Sequence, residues 1–280
     1  MISKNAIDEW RKTVFWVLDE LVAQDLLLSK VMVDLYSDLF IQEHLVLKGS
    51  AALQKLYFDR PYRYSKDLNF VQISPGPFGI ILDHIKNKLD WLGRPTLKIG
   101  EGRITLYYKI SSETAANNQS RIKLEIHTFK HDPMRRVISK KYAIENPWAT
   151  GEGTVTTYCL EELLAIQTLA LYQRKKGRYL FDLYYALRQL NPNPEQIVRV
   201  FCFYLEKSGR LVTRADFEEN LFNKITSQTF LNDIDAVIPN EFMTGFEAVE
   251  AIQYVHKNLI TVLPGEPWIG DLAGRLGNLI

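Results

Sequence analysis

Cysteine is nearly absent: Cys159 and Cys202 are the only two in 280 residues. That is too few for a disulfide framework or a four-thiolate zinc site. Neither lies in a recognisable catalytic-cysteine setting, so both read as small buried hydrophobes. No apolar run reaches the ~18–20 uninterrupted residues that a membrane span requires. The opening MISKNAIDEWRK is polar and carries charges of both signs, which argues against a signal peptide. An excess of charge of one sign is also missing, since 34 Lys+Arg stand against 33 Asp+Glu. Bulk charge therefore gives no argument for a nucleic-acid partner, although a local basic patch stays open. No internal repeat at a period of about 20–50 residues is visible. What these absences leave is a cytoplasmic α+β protein with no membrane segment and enough chain for a substantial core.

The first 43 residues read as helical. Asn5 is placed to cap a helix carrying Ile7, Trp10, Val14, Val17, Leu18 and Leu21 at roughly 3.6-residue spacing, and Ser29 is placed to start a second helix running toward Glu43. Leu45–Leu47 is a short buried-strand candidate, followed by Gly49-Ser50 and a helix over 51–58. Residues 68–73 form another strand, and a Pro/Gly turn (Ser74-Pro75-Gly76-Pro77) leads into a helix over 78–92. Thr96–Gly100 and Arg103–Ile110 predict a hairpin around Glu101-Gly102, the polar run 111–120 a loop, and 121–129 a half-buried strand. From about Leu160 the pattern is helical: Glu161 and Glu162 sit in a first turn, ELLAIQTLALYQRKK (162–176) carries an apolar stripe, and further helices follow near 178–190, 194–207, 214–226 and 242–258. The change near residue 158 sets the expected domains at 1–158 and 159–280.

Three segments carry chemistry. In the first, Lys48-Gly49-Ser50, glycine permits close backbone approach, and the following helix N-terminus offers free N–H groups to a phosphate. Alone it is an ordinary strand-to-helix turn. In the second, strand alternation puts Asp67 and Asn69 on one face and Leu68 and Phe70 on the other, a pair of oxygen donors suited to Mg²⁺. In the third, Arg121, Lys123, Glu125 and His127 share the face opposite Ile122, Leu124 and Ile126, so Glu125 can add a further carboxylate. Each of these two strands, taken singly, also reads as a solvated polar face. Arg135-Arg136 with Lys140-Lys141 makes a local basic cluster, either a solvated loop or an RNA-backbone contact. His127, His131 and Asp132 have spacing that does not converge on one face, so no zinc site is expected there.

Taken jointly, LKGSAALQKLYFDRPYRYSKDLNFV (47–71) and EELLAIQTLALYQRKKGRYLFDLYYAL (161–187) resemble the signature of the AbiEii-like nucleotidyltransferases. These are toxin components of two-gene toxin–antitoxin and phage-defence systems. Their pattern is Lys-Gly-Gly-(Thr/Ser)-Ala-Leu, then Arg-(Phe/Tyr)-Ser-x-Asp-Leu-Asp-Phe, then a charged-apolar-acidic strand and a Glu-Glu-Leu-Leu-Ala helix. The resemblance spans about residues 45–190. It implies an α+β fold of the polymerase-beta type: a mixed sheet with flanking helices, followed by a helical domain. It also implies two-metal phosphoryl chemistry with Mg²⁺ and an NTP substrate. Carried over to this chain, Asp67, Asn69 and Glu125 would be the catalytic metal ligands. Lys48, Gly49, Ser50, Ser65 and Lys123 would meet the nucleotide, as would Gln167, Arg174, Arg178 and Asp182 from the helical region across a cleft. The acceptor implied is the 3′ end of tRNA, and the partner a cognate antitoxin protein.

The chain departs from that pattern where the family carries charge. Asn69 stands for the second aspartate, Gln167 for a helical lysine and Tyr179 for an aspartate; Ser50 stands for the second glycine. An amide oxygen still ligates Mg²⁺ but brings no negative charge. The alternative expectation is therefore a catalytically weakened or inactive relative that binds nucleotide, RNA or a partner protein. A third is transfer to a small molecule or a protein hydroxyl. Gln167, Arg174 and Arg178 lie at spacings of seven and four, one side of a single helix provided that Gly177 does not break it.

Overall fold

The computed structural model describes residues 2–73, 76–110, 120–128, 133–235, 238, 247–272 and 274. The expected loop at 111–119, the His131-Asp132 pair, Ser74-Pro75 and the helix start at 242–246 lie outside the described residues. The chain divides into two compact units, Met1–Cys159 and Leu160–Ile280.

The first unit is built on a seven-stranded mixed sheet in the order β3-β4-β5-β2-β1-β7-β6. The strands are β1 (Leu45–Lys48), β2 (Asp67–Gln72), β3 (Thr96–Gly100), β4 (Arg103–Ile110), β5 (Ser120–His127), β6 (Ile138–Asn146) and β7 (Ala149–Thr157). The β2/β5 and β1/β7 pairs are parallel and the remaining pairs antiparallel. On β2 and β5 the alternation read from sequence holds: Leu68, Phe70, Leu124 and Ile126 are buried, while Asp67, Asn69, Lys123 and Glu125 are half-buried on the other face. A one-residue slip of either strand would turn its two core side chains outward, on the order of 3–6 kcal/mol at about 1.5–3 kcal/mol each. The register is thereby locked.

The helices of this unit are α1 (Lys4–Arg11), α2 (Asp19–Tyr36), α3 (Leu39–His44), α4 (Gly49–Tyr57) and α5 (Phe78–Lys88), the last followed by a single 3-10 turn at Asp90–Leu92. The predicted N-terminal helices need correction. Ser3, not Asn5, caps α1, accepting from the Ala6 N–H at 3.3 Å. The helix ends at Arg11, whose guanidinium donates to the Trp16 and Val17 carbonyls and holds the chain in an open loop. Val14 and Trp16 are buried from that loop, whereas Val17 and Leu18 are exposed. Ser29 does not start a helix but lies inside α2, its hydroxyl donating to the Asp25 carbonyl at 2.8 Å. It belongs to a buried network in which the Asp25 carboxylate accepts from Trp10 Nε1 at 3.0 Å and from Lys55 Nζ at 2.8 Å.

The β6–β7 hairpin takes up half of the basic cluster expected as a solvated loop or an RNA-backbone contact. Arg135 and Arg136 do precede the strand, but Lys140 and Lys141 lie on β6 and so point to opposite faces. Lys140 donates to the Leu56 carbonyl at 2.9 Å and lies over the Tyr57 ring, so the cluster is divided.

The second unit is helical: α6 (Leu160–Gln173), α7 (Arg178–Leu190), α8 (Pro194–Lys207), α9 (Arg214–Ile225), α10 (Gln228–Asp235) and α11 (Ala248–Asn258). Local signals set several boundaries. Asn191 in the left-handed region ends α7, Asn193 caps α8 ahead of Pro194, and a Thr213/Asp216 capping box opens α9. Helix α10 was not anticipated. The condition that Gly177 leave the helix unbroken is not met, because residues 174–177 lie outside α6 and α7. Among the described residues no helix is long and apolar enough to cross a membrane.

Candidate active site

The polar face of the sheet carries two rows of side chains across neighbouring strands. One row runs Lys48–Asn69–Glu125 over β1, β2 and β5, and the other pairs Asp67 with Lys123 over β2 and β5. Adjacent strands lie about 4.8 Å apart, so these groups converge without any contribution from loops. The Lys123 ammonium sits between the two carboxylates, 3.1 Å from Asp67 Oδ2 and 2.9 Å from Glu125 Oε2. On its other side Glu125 Oε1 lies 3.3 Å from His127 Nε2 and 3.9 Å from an Arg103 nitrogen. The His127 hydrogen bond, followed by Lys123, holds the Glu125 carboxyl at about 2 against the opposing effect of burial. Burial alone would lower the Lys123 ammonium, but its bonds to Glu125 and Asp67 prevail and raise it. His127 shares the Glu125 face as the strand alternation predicts, whereas Arg103 is a neighbour that the sequence pattern does not indicate. The two-residue spacing of Glu125 and His127 on one strand was a signal for the first, while Arg103 is brought in only by the β4/β5 pairing.

Beside these rows, β1 turns directly into α4. Gly49 has φ +76°, a conformation that side-chain-bearing residues rarely adopt, and it lets the chain pass from strand to helix at once. A Cβ added at Gly49 would lie 3.7 Å from Asn69 Nδ2, so the turn stands against the row of ligand-type side chains. Among the described residues no side-chain cap hydrogen bond is made at the α4 N-terminus, where the first N–H groups of a helix favour an anion. The Ser50 and Ser65 hydroxyls meet at 3.2 Å, bringing the loop before β2 to the start of α4. The sequence-derived set Lys48, Gly49, Ser50, Ser65, Asp67, Asn69, Lys123 and Glu125 is therefore one neighbourhood of the first unit.

Of the four candidates of the second unit, Gln167 and Asp182 bond each other, while Arg174 and Arg178 each have another partner. Gln167 is buried on α6 and its amide donates to Asp182 Oδ2 on α7 at 3.1 Å. Arg178 makes a two-pronged contact with Asp233 on α10, through Nε at 2.9 Å and Nη2 at 2.6 Å, and its backbone N–H bonds the same carboxylate. Arg174, past the end of α6, donates to the Tyr179 hydroxyl at 3.0 Å. The expected single helix side for Gln167, Arg174 and Arg178 is thus replaced by contacts on either side of a break.

A mixed sheet with a glycine turn facing strand-borne carboxylates, joined to a helical region, defines the nucleotidyltransferase class. Residues 30–252 match the family described as nucleotidyl transferase AbiEii toxin, type IV TA system, and the chain belongs to that family. Its fold is similar to that of a candidate nucleotidyltransferase from H. pylori, at a TM-score of 0.54 and 16% identity over 94% of this chain and 99% of that one. It is similar also to JHP933 from Helicobacter pylori (TM-score 0.53, 14% identity, 94% of this chain and 98% of that one). A third similar structure is MenT4, a nucleotidyltransferase toxin from Mycobacterium tuberculosis H37Rv (TM-score 0.53, 13% identity, 93% of this chain and 94% of that one). A comparison with curated protein sequences gives no match.

Proposed function

We propose that the chain moves a nucleotide from an NTP to an acceptor hydroxyl at the Asp67–Asn69–Glu125 face, with release of pyrophosphate and the hydroxyl proton, Mg²⁺ as the cation and the 3′ end of tRNA as the acceptor. The observation that carries this reading is the convergence of Asp67 and Glu125 on one positive charge, the Lys123 ammonium, beside a helix start. A place where two carboxylates already share a cation has the electrostatics for a metal. Among the described residues no group of three His, Cys, Asp or Glu side chains is arranged to hold one. Asp67 and Glu125, with the Asn69 amide oxygen, make a smaller donor set, and Mg²⁺ is commonly held by one or two carboxylates together with substrate phosphates.

When bound, Mg²⁺ would neutralise the phosphates and favour ionisation of the attacking hydroxyl. The protein's own groups do the rest. The Gly49 and Ser50 N–H groups orient the triphosphate, the Ser50–Ser65 hydroxyl pair fixes the edge of that seat, and Lys123 is within reach of both carboxylates and the phosphate they would face. His127 keeps Glu125 ionised. A cognate antitoxin protein is the partner this family membership suggests, and the cytoplasm the compartment where NTP and tRNA meet.

Asn69 favours a second reading, because the site has one negative charge fewer than the family pattern. In that reading the fold is kept for binding nucleotide, RNA or a protein. Incubation with Mg²⁺, each labelled NTP and total tRNA separates the two. Label on RNA that is lost in Asp67→Ala supports transfer. Measurable NTP or tRNA binding with no label from any nucleotide supports the binding reading, and label unaffected by Asp67→Ala refutes the site.

A further inference from the structure

The sheet face that carries the carboxylates continues past them toward the β3 edge, and its chemistry changes there. Register places Thr96 opposite Tyr107 and Tyr107 opposite Lys123, while Lys109 lies opposite Arg121 and Lys98 opposite Thr105. A pocket of about 420 Å³ opens on this face, lined by Thr96, Lys98, Tyr107, Lys109 and Arg121. Three of its five lining residues are cations and none is an acid. Lys98, Lys109 and Arg121 are exposed, and among the described residues none of the three makes an ion pair, unlike Lys123 one strand away. The chain as a whole is nearly neutral, so this unpaired group is a local concentration of charge rather than a share of a general excess.

Its position identifies the ligand class. Along the sheet the carboxylates of β5 and β2 stand between two anion-accepting sites: the Gly49-Ser50 turn at the end of β1, and this pocket over β3, β4 and β5. A reaction that joins a triphosphate to a phosphodiester chain needs two such seats, one for each substrate. From Asp67 to Tyr107 is two strand spacings, roughly 10 Å. Tyr107 adds a half-buried ring among the cations, the combination by which proteins hold single-stranded nucleic acid: charge along the backbone and an aromatic face for a base.

We infer that this pocket holds the polynucleotide acceptor, its phosphates on Lys98, Lys109 and Arg121 and a base against Tyr107, with the chain end directed along the Tyr107–Lys123–Asp67 row. The inference rests on the proposed transfer reaction for its choice of RNA. It is tested by fluorescence anisotropy of the full chain with 5′-labelled tRNA and a short single-stranded RNA across a salt series, with NTP binding measured separately. The triple variant Lys98→Ala, Lys109→Ala, Arg121→Ala is expected to bind RNA at least tenfold more weakly. Its plot of log affinity against log salt is expected to be shallower by about two, at roughly 0.7 per phosphate contact. Tyr107→Ala is expected to weaken binding about tenfold and Tyr107→Phe to rescue it, since the ring rather than the hydroxyl makes the contact.

Wild-type RNA affinity and salt slope in the triple variant would overturn the inference. So would a loss of NTP affinity matching the loss of RNA affinity, which would assign the pocket to the triphosphate. A wild-type chain that labels some other acceptor but binds neither RNA also overturns it, while leaving nucleotidyl transfer intact. RNA binding that depends on the three cations, in a protein that transfers no nucleotide, supports the pocket and refutes the reaction.

Discussion

Replacing Gly49 with alanine separates what the β1–α4 turn does for stability from what it does for a ligand. Gly49 has φ +76°, and an L-residue in the left-handed region costs roughly 1–2 kcal/mol. Alanine also narrows the unfolded ensemble, which offsets about 0.4–1 kcal/mol of that. Space adds no further penalty, because the new Cβ would meet Asn69 Nδ2 at 3.7 Å and Asn69 Cβ at 3.9 Å, ordinary contact distances. The expected net loss is about 1 kcal/mol, or about 2–4 °C in Tm for a unit of this size. The same methyl stands against Asn69 where the proposed phosphate seat lies, so NTP affinity should fall at least about tenfold, equivalent to about 1.4 kcal/mol. Urea denaturation and titration with a fluorescent NTP analogue measure the two effects on one preparation. A folded Gly49→Ala protein with wild-type NTP affinity would refute the phosphate seat. A stability loss above about 4 kcal/mol would refute the view that only backbone conformation is at stake.

Gly177→Ala should behave in the opposite way, since Gly177 has an ordinary φ of −63° but an added Cβ would lie 2.3 Å from the Phe230 carbonyl and 2.4 Å from Ile234 Cγ1. Overpacking of about 1–3 kcal/mol or more is expected in thermal unfolding, and an unchanged Tm would refute the close approach of α10. Arg178→Ala should destabilise the helical unit by about 1.5–3 kcal/mol, because it leaves the buried Asp233 carboxylate without its two-pronged partner. If stability is untouched and only RNA or NTP binding falls, Arg178 is a ligand group rather than a structural one. The Glu125 carboxyl, held at about 2 against an ordinary 4.5, contributes stability that is present above pH 4.5 and is lost as pH falls toward 2. At full effect this is about 3 kcal/mol. Glu125→Gln should therefore show a flatter loss of stability over that window, and an acid limb identical to wild type would contradict the His127 and Lys123 contacts.

Local pattern carried much of the first unit. Period-two alternation in 67–70 and 121–127 assigned the faces of β2 and β5 there, and the Gly49-Ser50 turn marked the passage from β1 to α4. The β6–β7 hairpin has a weaker local pattern, because β7 carries Gly151 and Gly153 in its first half. In the folded chain Gly153 serves close approach: an added Cβ would lie 3.1–3.2 Å from Tyr36 of α2. The division of the N-terminal helices was hidden for a related reason. Ser29 looks like a boundary residue, yet it is buried inside α2 with Asp25, because Trp10, Lys55 and Tyr142 arrive from other elements to satisfy the pair.

The site divides along the same line. Residue type and spacing along the chain were enough to select Asp67, Asn69 and Glu125 and to put each on the polar side of its strand, because side-chain direction in a strand is a local property. Which strands lie together is not local. Parallel pairing of β2 with β5, 56 residues apart from Asp67 to Lys123, brings the Lys123 ammonium between two carboxylates. The antiparallel β3–β4–β5 arrangement then lays three further cations and Tyr107 on that face. In the helical unit, α10 packs against Gly177 so closely that there is no room for a side chain, a constraint set by tertiary contact. The chain's own pattern thus chose the chemical groups and their faces, and long-range pairing chose their neighbours, since charge and hydrogen bonding act through distances that only the folded chain establishes.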